Sequence, residues 1–418
     1  MTSSTPSSAT GQHKTAHPIV FMFLLIPYGA MTGYLVVTLG YLLSHAGISP
    51  GIIAGLIAIQ LLPQVFKFLW SPLVDVTFTV KSWHIIANAA CAACVLAFSF
   101  IPIKAANLPL FSIVIVVSSF ACSFVGIATN SLSAHNTPGA LKGRVSGYLQ
   151  AGNLGGQGVG GGIGLLLAEH MTNWMAGGIL AIGFMLCSLG LYFVNEPVDV
   201  IKVKSLAKSM GNLVMDVWST IKKRAGTIAL VLCLMPIGTC AAGNLFSSVA
   251  KDWHASLDVV AIITGVVGGL ITAVGSLVGG WLLDLMDRKT NYVLVGLLQA
   301  AIAVGMAFLP HTPMMYIILT SLYTFVSGLC YAAFNAFTLE VIGKGAAATK
   351  FELYASVSNA PIYMMTAIAG WAYTKWDANG MLNTEAVCCV IGVVLYYIIK
   401  ALIPAKNAIA ADGELIEA

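Results

Sequence analysis

Residues 15–66 read TAHPIVFMFLLIPYGAMTGYLVVTLGYLLSHAGISPGIIAGLIAIQLLPQVF, and no Asp, Glu, Lys or Arg interrupts them between Lys14 and Lys67. A helix needs roughly 20 apolar residues to cross a bilayer, so a stretch this long holds two crossings. Further charge-free stretches run from Lys81 to Lys104, Lys104 to Lys142, Arg144 to Glu169, Glu169 to Glu196, Arg224 to Lys251, Asp258 to Asp284, Lys289 to Glu340 and Glu352 to Lys375. The stretch from Glu385 to Lys400 is shorter but continues apolar through Ala401, Leu402 and Ile403.

The chain as a whole agrees. Of its 418 residues 58% are hydrophobic and only 9% charged, with a mean hydropathy of +0.89. Soluble domains carry about 25% charged residues, so this chain has too few to cover a water-facing surface. Backbone groups in hydrocarbon must be hydrogen-bonded internally, and the apolar runs are continuous, without the alternation of barrel strands; they are read as helices. The expected fold is an all-α membrane protein with twelve transmembrane helices, over 18–44, 51–73, 84–103, 108–131, 145–168, 173–194, 226–250, 258–284, 291–309, 314–340, 352–374 and 385–404. Residues 1–17, polar with four Ser and four Thr, read as a disordered tail. The following apolar run is too long for a signal-peptide core and is expected to remain as the first helix.

Basic residues are distributed unevenly over the loops. Lys14, Lys81, Lys142, Arg144, Lys202, Lys204, Lys208, Lys222, Lys223, Arg224, Arg288, Lys289, Lys344, Lys350, Lys400 and Lys406 fall on one side; Lys104, Lys251 and Lys375 fall on the other. The positive-inside rule puts the first set in the cytoplasm, with both termini, in a cytoplasmic (inner) membrane. The net charge of +4 is spread along one membrane face and carries no nucleic-acid signature. Most of the nine Cys lie in apolar spans, and the Cys91-x-x-Cys94 pair is open to two readings, packing between helices or a redox or zinc role.

The polar segment 195–225 separates an N-terminal bundle, 18–194, from a C-terminal one, 226–404, with a second tail over 405–418. The halves are weakly alike. Pro27-Tyr28-Gly29 matches Pro236-Ile237-Gly238, and Ser71-Pro72-Leu73-Val74-Asp75 matches Gly280-Trp281-Leu282-Leu283-Asp284, both 209 residues apart. Arg144, Tyr148 and Asn153 match Lys350, Tyr354 and Asn359 at 206. Two pseudo-symmetric six-helix bundles with a site near midplane between them are therefore expected.

Gly280-x-x-x-Asp284-x-x-Asp287-Arg288-Lys289 resembles the loop signature of the major facilitator superfamily, with Asp287 in place of its second Gly. The small residue lets two helices approach, and the Asp can then pair with a cation or a helix N-terminus of the other half, whose dipole favours an anion. The repeat places Asp284 near Arg144, and Asp75 near Lys350, as gate contacts. The plainer alternative is a charged turn that sets topology.

Phe66-Lys67-Phe68-Leu69-Trp70-Ser71-Pro72-Leu73-Val74-Asp75 resembles the AmpG-type permeases, whose second helix ends in K-F-L-W-S/A-P-L-x-D. The family includes muropeptide and siderophore permeases and acetyl-CoA transporters. The resemblance implies a secondary active transporter that takes up an anionic or zwitterionic solute by alternating access, with proton symport. Lys67 lies two helical turns before Asp75 and is expected on the same face. An ionisable group at that depth faces a cavity or a partner, as a substrate counter-charge or one of a proton-linked pair, or it snorkels to the interface. Muropeptide permeases carry acids in a D-x-x-x-x-D pattern in the fourth helix and an Arg in the fifth; here these positions hold Asn130, His135 and Asn153. Coupling must then differ, with His135, which can titrate near neutral pH, and Glu340 as candidates.

The run Gly155-Gly156-Gln157-Gly158-Val159-Gly160-Gly161-Gly162-Ile163-Gly164 lacks the Lys-Ser/Thr and the preceding strand of a nucleotide loop and reads as close helix packing or sliding. Polar residues at mid-span, Tyr28, Gln64, Asn130, Asn153, Gln157, Asn335 and Asn359 among them, are candidate cavity liners or interhelical glue. No cofactor or metal is expected; the partners are a small solute, protons and the bilayer, and the chain is expected to be monomeric. The weighed alternatives are a membrane-embedded acyltransferase-like enzyme, for which no H-x-x-x-x-D, G-x-S-x-G or H-E-x-x-H occurs, and a passive channel.

Overall fold

The computed structural model describes residues 16–48, 66–196, 206–264, 266–343, 347–403, 407–409 and 415–417, together with 52, 56, 59, 60, 63 and 64. Most of the N-terminal tail, part of the linker, and Lys14, Lys202, Lys204, Lys344 and Lys406 lie outside the described residues.

The described chain is helical apart from a two-stranded pairing of Asn407–Ile409 with Leu415–Glu417. The principal helices are α1 (Ile19–Gly33), α2 (Ser71–Val76), α3 (Val80–Phe100), α4 (Leu108–Asn136), α5 (Lys142–Gln150), α6 (Asn173–Cys187), α7 (Leu206–Lys222), α8 (Arg224–Leu234), α9 (Val266–Leu282), α10 (Arg288–Phe308), α11 (Pro313–Ile342) and α12 (Ala347–Leu402). These labels are not a count of crossings, because α2 is short and α7 lies in the linker. Among the described residues, eight helices are long and apolar enough to cross a bilayer. One of them, α12, is interrupted at Trp376 and Asp377, where Asp377 has φ 55, into two helical arms. Expected span 51–73 falls partly among residues not described. Span 145–168 is a helix of α and π segments, and span 226–250 is interrupted after α8.

Local chemistry sets the helix starts. Thr79 and Asp287 accept a backbone N–H three residues on, from Ser82 and Thr290, and cap α3 and α10. Glu196 accepts from the N–H groups of Val80 and Lys81, so the end of the N-terminal half ties down the start of α3. Asp287 thus fills the place of the signature's Gly as a helix cap.

Glycine sets how closely the first helix meets the fifth. A β-carbon on Gly29 would lie 1.9 Å from the Asn153 carbonyl oxygen, and one on Gly160 would lie 1.8 Å from that of Ala30. The helix following α5 widens into π turns at Ala151–Gly155 and Val159–Ile163. A π turn frees carbonyls that lipid cannot satisfy; the Thr38 hydroxyl donates to Gly161 O at 3.0 Å. The glycine run therefore packs helix against helix. On α6 and the 3₁₀ segment after it, Ile182, Leu186 and Leu189 are apolar and exposed, as a lipid-facing wall requires.

Candidate substrate site and gate between the halves

Lys67 does not lie on an α-helical face with Asp75. Phe66 leaves helical geometry, and Lys67–Leu69 form a single 3₁₀ turn ahead of α2. The turn redirects the lysine across the molecule. Its ammonium lies 2.6 Å from Oε2 of Glu352 in the C-terminal half, with the Glu352 side chain fully buried. Asn130 of α4 donates to the other carboxylate oxygen at 3.1 Å. Tyr28 of α1 donates to Gln64 Oε1 at 3.1 Å, and the Gln64 amide donates to Ser119 O. The candidates Lys67, Asn130, Gln64 and Tyr28 thus line the N-terminal side of one junction, and a single carboxylate answers from the C-terminal side.

The remaining candidates separate. His135 bonds back to Ser131 O of its own helix. Asn153 and Gln157 form a ladder with Gln150 along the glycine-rich helix. Asn335 is buried in α11. Glu340 meets Arg288 at 2.8 Å, near the membrane face rather than at the Lys67 junction. Asn359, one seven-residue repeat beyond Glu352 on α12, is exposed on the same face, as is Tyr363.

Two carboxylates hold the halves together at the end of the molecule that carries the basic loops. Asp284 accepts from the N–H groups of Gly143 at 2.9 Å and Arg144 at 3.3 Å, and the Arg144 side chain adds an ion pair at 3.2 Å. Asp75 accepts from the N–H groups of Ala348 and Thr349 and from the Thr349 hydroxyl, at 3.3, 2.9 and 2.8 Å. The expected charge partner of Asp75 is corrected: Lys350 turns away to Asp216 of the linker helix α7, at 2.8 Å. The first turn of α12 offers enough backbone donors to satisfy Asp75 without a cation. Lys142 donates to Leu339 O, Ser146 to Ala332 O, and Arg288 to Gly139 O, across the same seam. Lys289, also named for the gate, is the second residue of α10. Burial pushes the Asp75 carboxyl above its ordinary value, against the donors of Thr349 and Ala348.

Glu352 is the site residue that sequence reading passes over. It ends a charge-free stretch and so reads as a helix boundary, whereas α12 begins at Ala347 and carries it more than a turn inward. The signal for it is Lys67 itself, a deep cation that needs an anion. Glu385, buried in the second arm of α12, is missed for the same reason. Among the described residues, no group of three or more His, Cys, Asp or Glu could hold a metal ion.

Crossing helices in two related halves, clamped at one end by reciprocal carboxylate contacts, define a multi-pass membrane transporter. The chain belongs to the Major Facilitator Superfamily, whose family model matches residues 21–362. It is 25% identical over 349 residues to the anhydromuropeptide permease of Escherichia coli K12, covering 80% of this chain and 70% of that one. It is 24% identical over 381 residues to the putative transporter AmpG 4 of Rickettsia conorii, covering 86% and 91%. Its fold is similar to the crystal structure of the human organic anion transporter MFSD10, with a TM-score of 0.71 at 12% identity over 90% of this chain and 98% of that one. The family and its permease relatives mark a transporter and not an enzyme.

Proposed function

We propose that the chain is a proton-coupled secondary transporter that moves an anionic or zwitterionic organic solute of muropeptide, siderophore or acyl-CoA type by alternating access. In this reading twelve crossings form the two six-helix bundles, and both termini lie in the cytoplasm beside an inner membrane. The halves rock about the junction described above.

The observation that carries the reading is the Lys67–Glu352 pair. It joins the halves at 2.6 Å through a fully buried carboxylate. A buried ion pair is a poor way to gain stability, because desolvation offsets much of the attraction. It makes a good switch, since an incoming carboxylate or phosphate can take the place of Glu352 on Lys67. The displaced Glu352, left with Asn130 alone, is then a buried carboxylate without its counter-charge, and it is the proposed acceptor of the coupled proton. Substrate and proton thus enter the same step. The carboxylates that muropeptide permeases carry in the fourth helix are Asn130 and His135 here, and Glu352, bonded to Asn130, supplies an acid from the other half.

In this reading the contacts of Asp75 and Asp284 close the proposed cytoplasmic side, and solute enters from the opposite side. The test is counterflow in proteoliposomes preloaded with an anhydromuropeptide, a ferric siderophore or an acyl-CoA, paired with thermal shift of the purified protein. A transported ligand raises the melting point and shows trans-stimulation, and Lys67→Met abolishes both. Uptake without trans-stimulation would mean a channel, and unchanged binding in Lys67→Met would remove Lys67 from the site.

A further inference from the structure

The chain between α8 and Ala241 is not helical, although it lies in the middle of an apolar stretch. Pro236 has no N–H to continue α8, and Gly238 and Cys240 take φ of 59 and 54. For Cys240, a residue with a β-carbon, that conformation is strained and persists only where the surroundings hold it. They do so from three helices. Tyr292 of α10 donates to Ile237 O at 2.7 Å. Gly392 of α12 admits the Pro236 ring, where a β-carbon would lie 2.8 Å from its Cδ. Glu385 of α12 accepts from the N–H groups of Ala241 and Ala242 at 2.9 and 3.3 Å, and Tyr323 of α11 donates to both of its oxygens at 2.9 and 3.0 Å.

Glu385 is 4% exposed and makes no ion pair among the described residues. The titratable groups that face it are Tyr323 and Cys330 of α11, Cys240 of the break, and Cys388 and Cys389 of its own helix. A carboxylate in hydrocarbon is expensive unless donors surround it. Here two of its three donors are backbone N–H groups that are free only because the helix is interrupted.

We propose that Glu385 is a second protonation site, in the C-terminal half and apart from the Lys67 junction, and that its proton is exchanged as the break at residues 235–240 opens and mends. With Glu385 ionised, the carboxylate holds the N–H groups of Ala241 and Ala242 and keeps the chain interrupted. When those groups turn to carbonyls in the preceding turn, Glu385 loses two donors and takes one proton from water; the reverse step releases it. The strain at Cys240 is relieved in the mended form. Glu385 is a positioning residue in this scheme, acting on transport through the shape of the helix. The inference does not depend on the solute or on the Lys67–Glu352 switch.

The experiment is hydrogen exchange of the full-length protein in lipid nanodiscs from pH 5 to 9, with each amide rate divided by its intrinsic rate at that pH. The wild type is expected to gain at least tenfold protection over residues 238–242 as pH falls, along a single-proton curve. Glu385→Gln should hold that protection at every pH, while Tyr323→Phe, which removes one donor, should move the midpoint to higher pH. The proposal is overturned if the wild-type protection is flat in pH, if Glu385→Gln keeps the same transition, or if the transition follows sodium at fixed pH. Should Glu385→Gln fail to fold, the wild-type curve and the Tyr323→Phe midpoint still decide.

Discussion

Asp75 and Asp284, 209 residues apart, do the same work on opposite halves: each accepts two successive backbone N–H groups from the first turn of a helix in the other half. The targets, Gly143 and Arg144 for one and Ala348 and Thr349 for the other, are the second and third residues of their helices, one position off the register that pairs Arg144 with Lys350. An anion at a helix start is favoured by the free N–H groups and the dipole together. Both contacts must break before this end can open, so their strength sets how the two end states are balanced.

The charge on each latch can therefore be read as a population. Asp284→Asn keeps the shape but replaces charge-assisted bonds with neutral ones, a loss of about 1 kcal/mol, or roughly fivefold in the closed-to-open ratio. Ser146 is a good reporter, being fully buried in the seam with its hydroxyl on Ala332 O. Maleimide labelling of Ser146→Cys should rise about fivefold in the Asp284→Asn background by the same estimate, and in the Asp75→Asn background likewise. Unchanged labelling in both would mean that the loops do not gate this end.

The Lys67–Glu352 pair should show strong coupling in stability. Removing one partner leaves a buried charge without compensation, a loss of about 3–5 kcal/mol by precedent for buried pairs. Lys67→Met and Glu352→Gln are each expected to lower the thermal unfolding midpoint sharply, and the double variant to recover part of the loss. A double-mutant cycle with a coupling of about 2 kcal/mol is the expected outcome. Additive effects would show that the two side chains do not sense one another.

How much of this could be read from the chain varies with the range of the interaction. The crossings follow from hydropathy, which is local, and the place of Asp284 beside the start of α5 follows from a loop signature joined to a repeat. The partner of Lys350 does not follow, because Asp216 comes from the linker, which has no counterpart in the repeat. Nor does the alignment of Lys67 with Asp75: periodicity assumes an unbroken helix, and the Lys67–Leu69 turn interrupts it. The gap after α8 leaves only Pro236 and Gly238 as traces, since the donors and acceptors that hold it open come from α10, α11 and α12. Long-range polar pairing escapes a reading built on neighbours in sequence.

Glycines in contact and glycines in open space should respond oppositely to the same change. Gly29→Ala drives a methyl group into the Asn153 carbonyl, and Gly160→Ala into that of Ala30, where backbone has no room to yield. Overpacking of this kind costs about 1–3 kcal/mol or more, and both variants should unfold at lower temperature with poor folded yield. Gly178→Ala has nothing within 4 Å of the added carbon and should be neutral or gain up to about 1 kcal/mol from helix propensity. Equal tolerance at all three sites, read by thermal unfolding, would contradict the close approach of the first and fifth helices.

Asp287 offers a test with a pH sign. Its carboxylate accepts from the Thr290 N–H at 2.8 Å and hydroxyl at 2.6 Å. Burial raises its pKa, but those bonds and the nearby Lys289 outweigh it, so the group ionises below its ordinary value of 3.8. A depressed native value means that the stabilising effect is fully present above the unfolded value and is lost as pH falls through the native one. Asp287→Ala should therefore cost about 1 kcal/mol at neutral pH, and the gap from wild type should begin to narrow only as pH falls below the ordinary value of 3.8. Asp287→Gly, which restores the residue of the family signature, should cost only a few tenths of a kcal/mol, because glycine is itself tolerated as a cap. A gap that does not narrow down to the most acid pH at which the wild type stays folded would assign the effect to packing and not to the ionised cap.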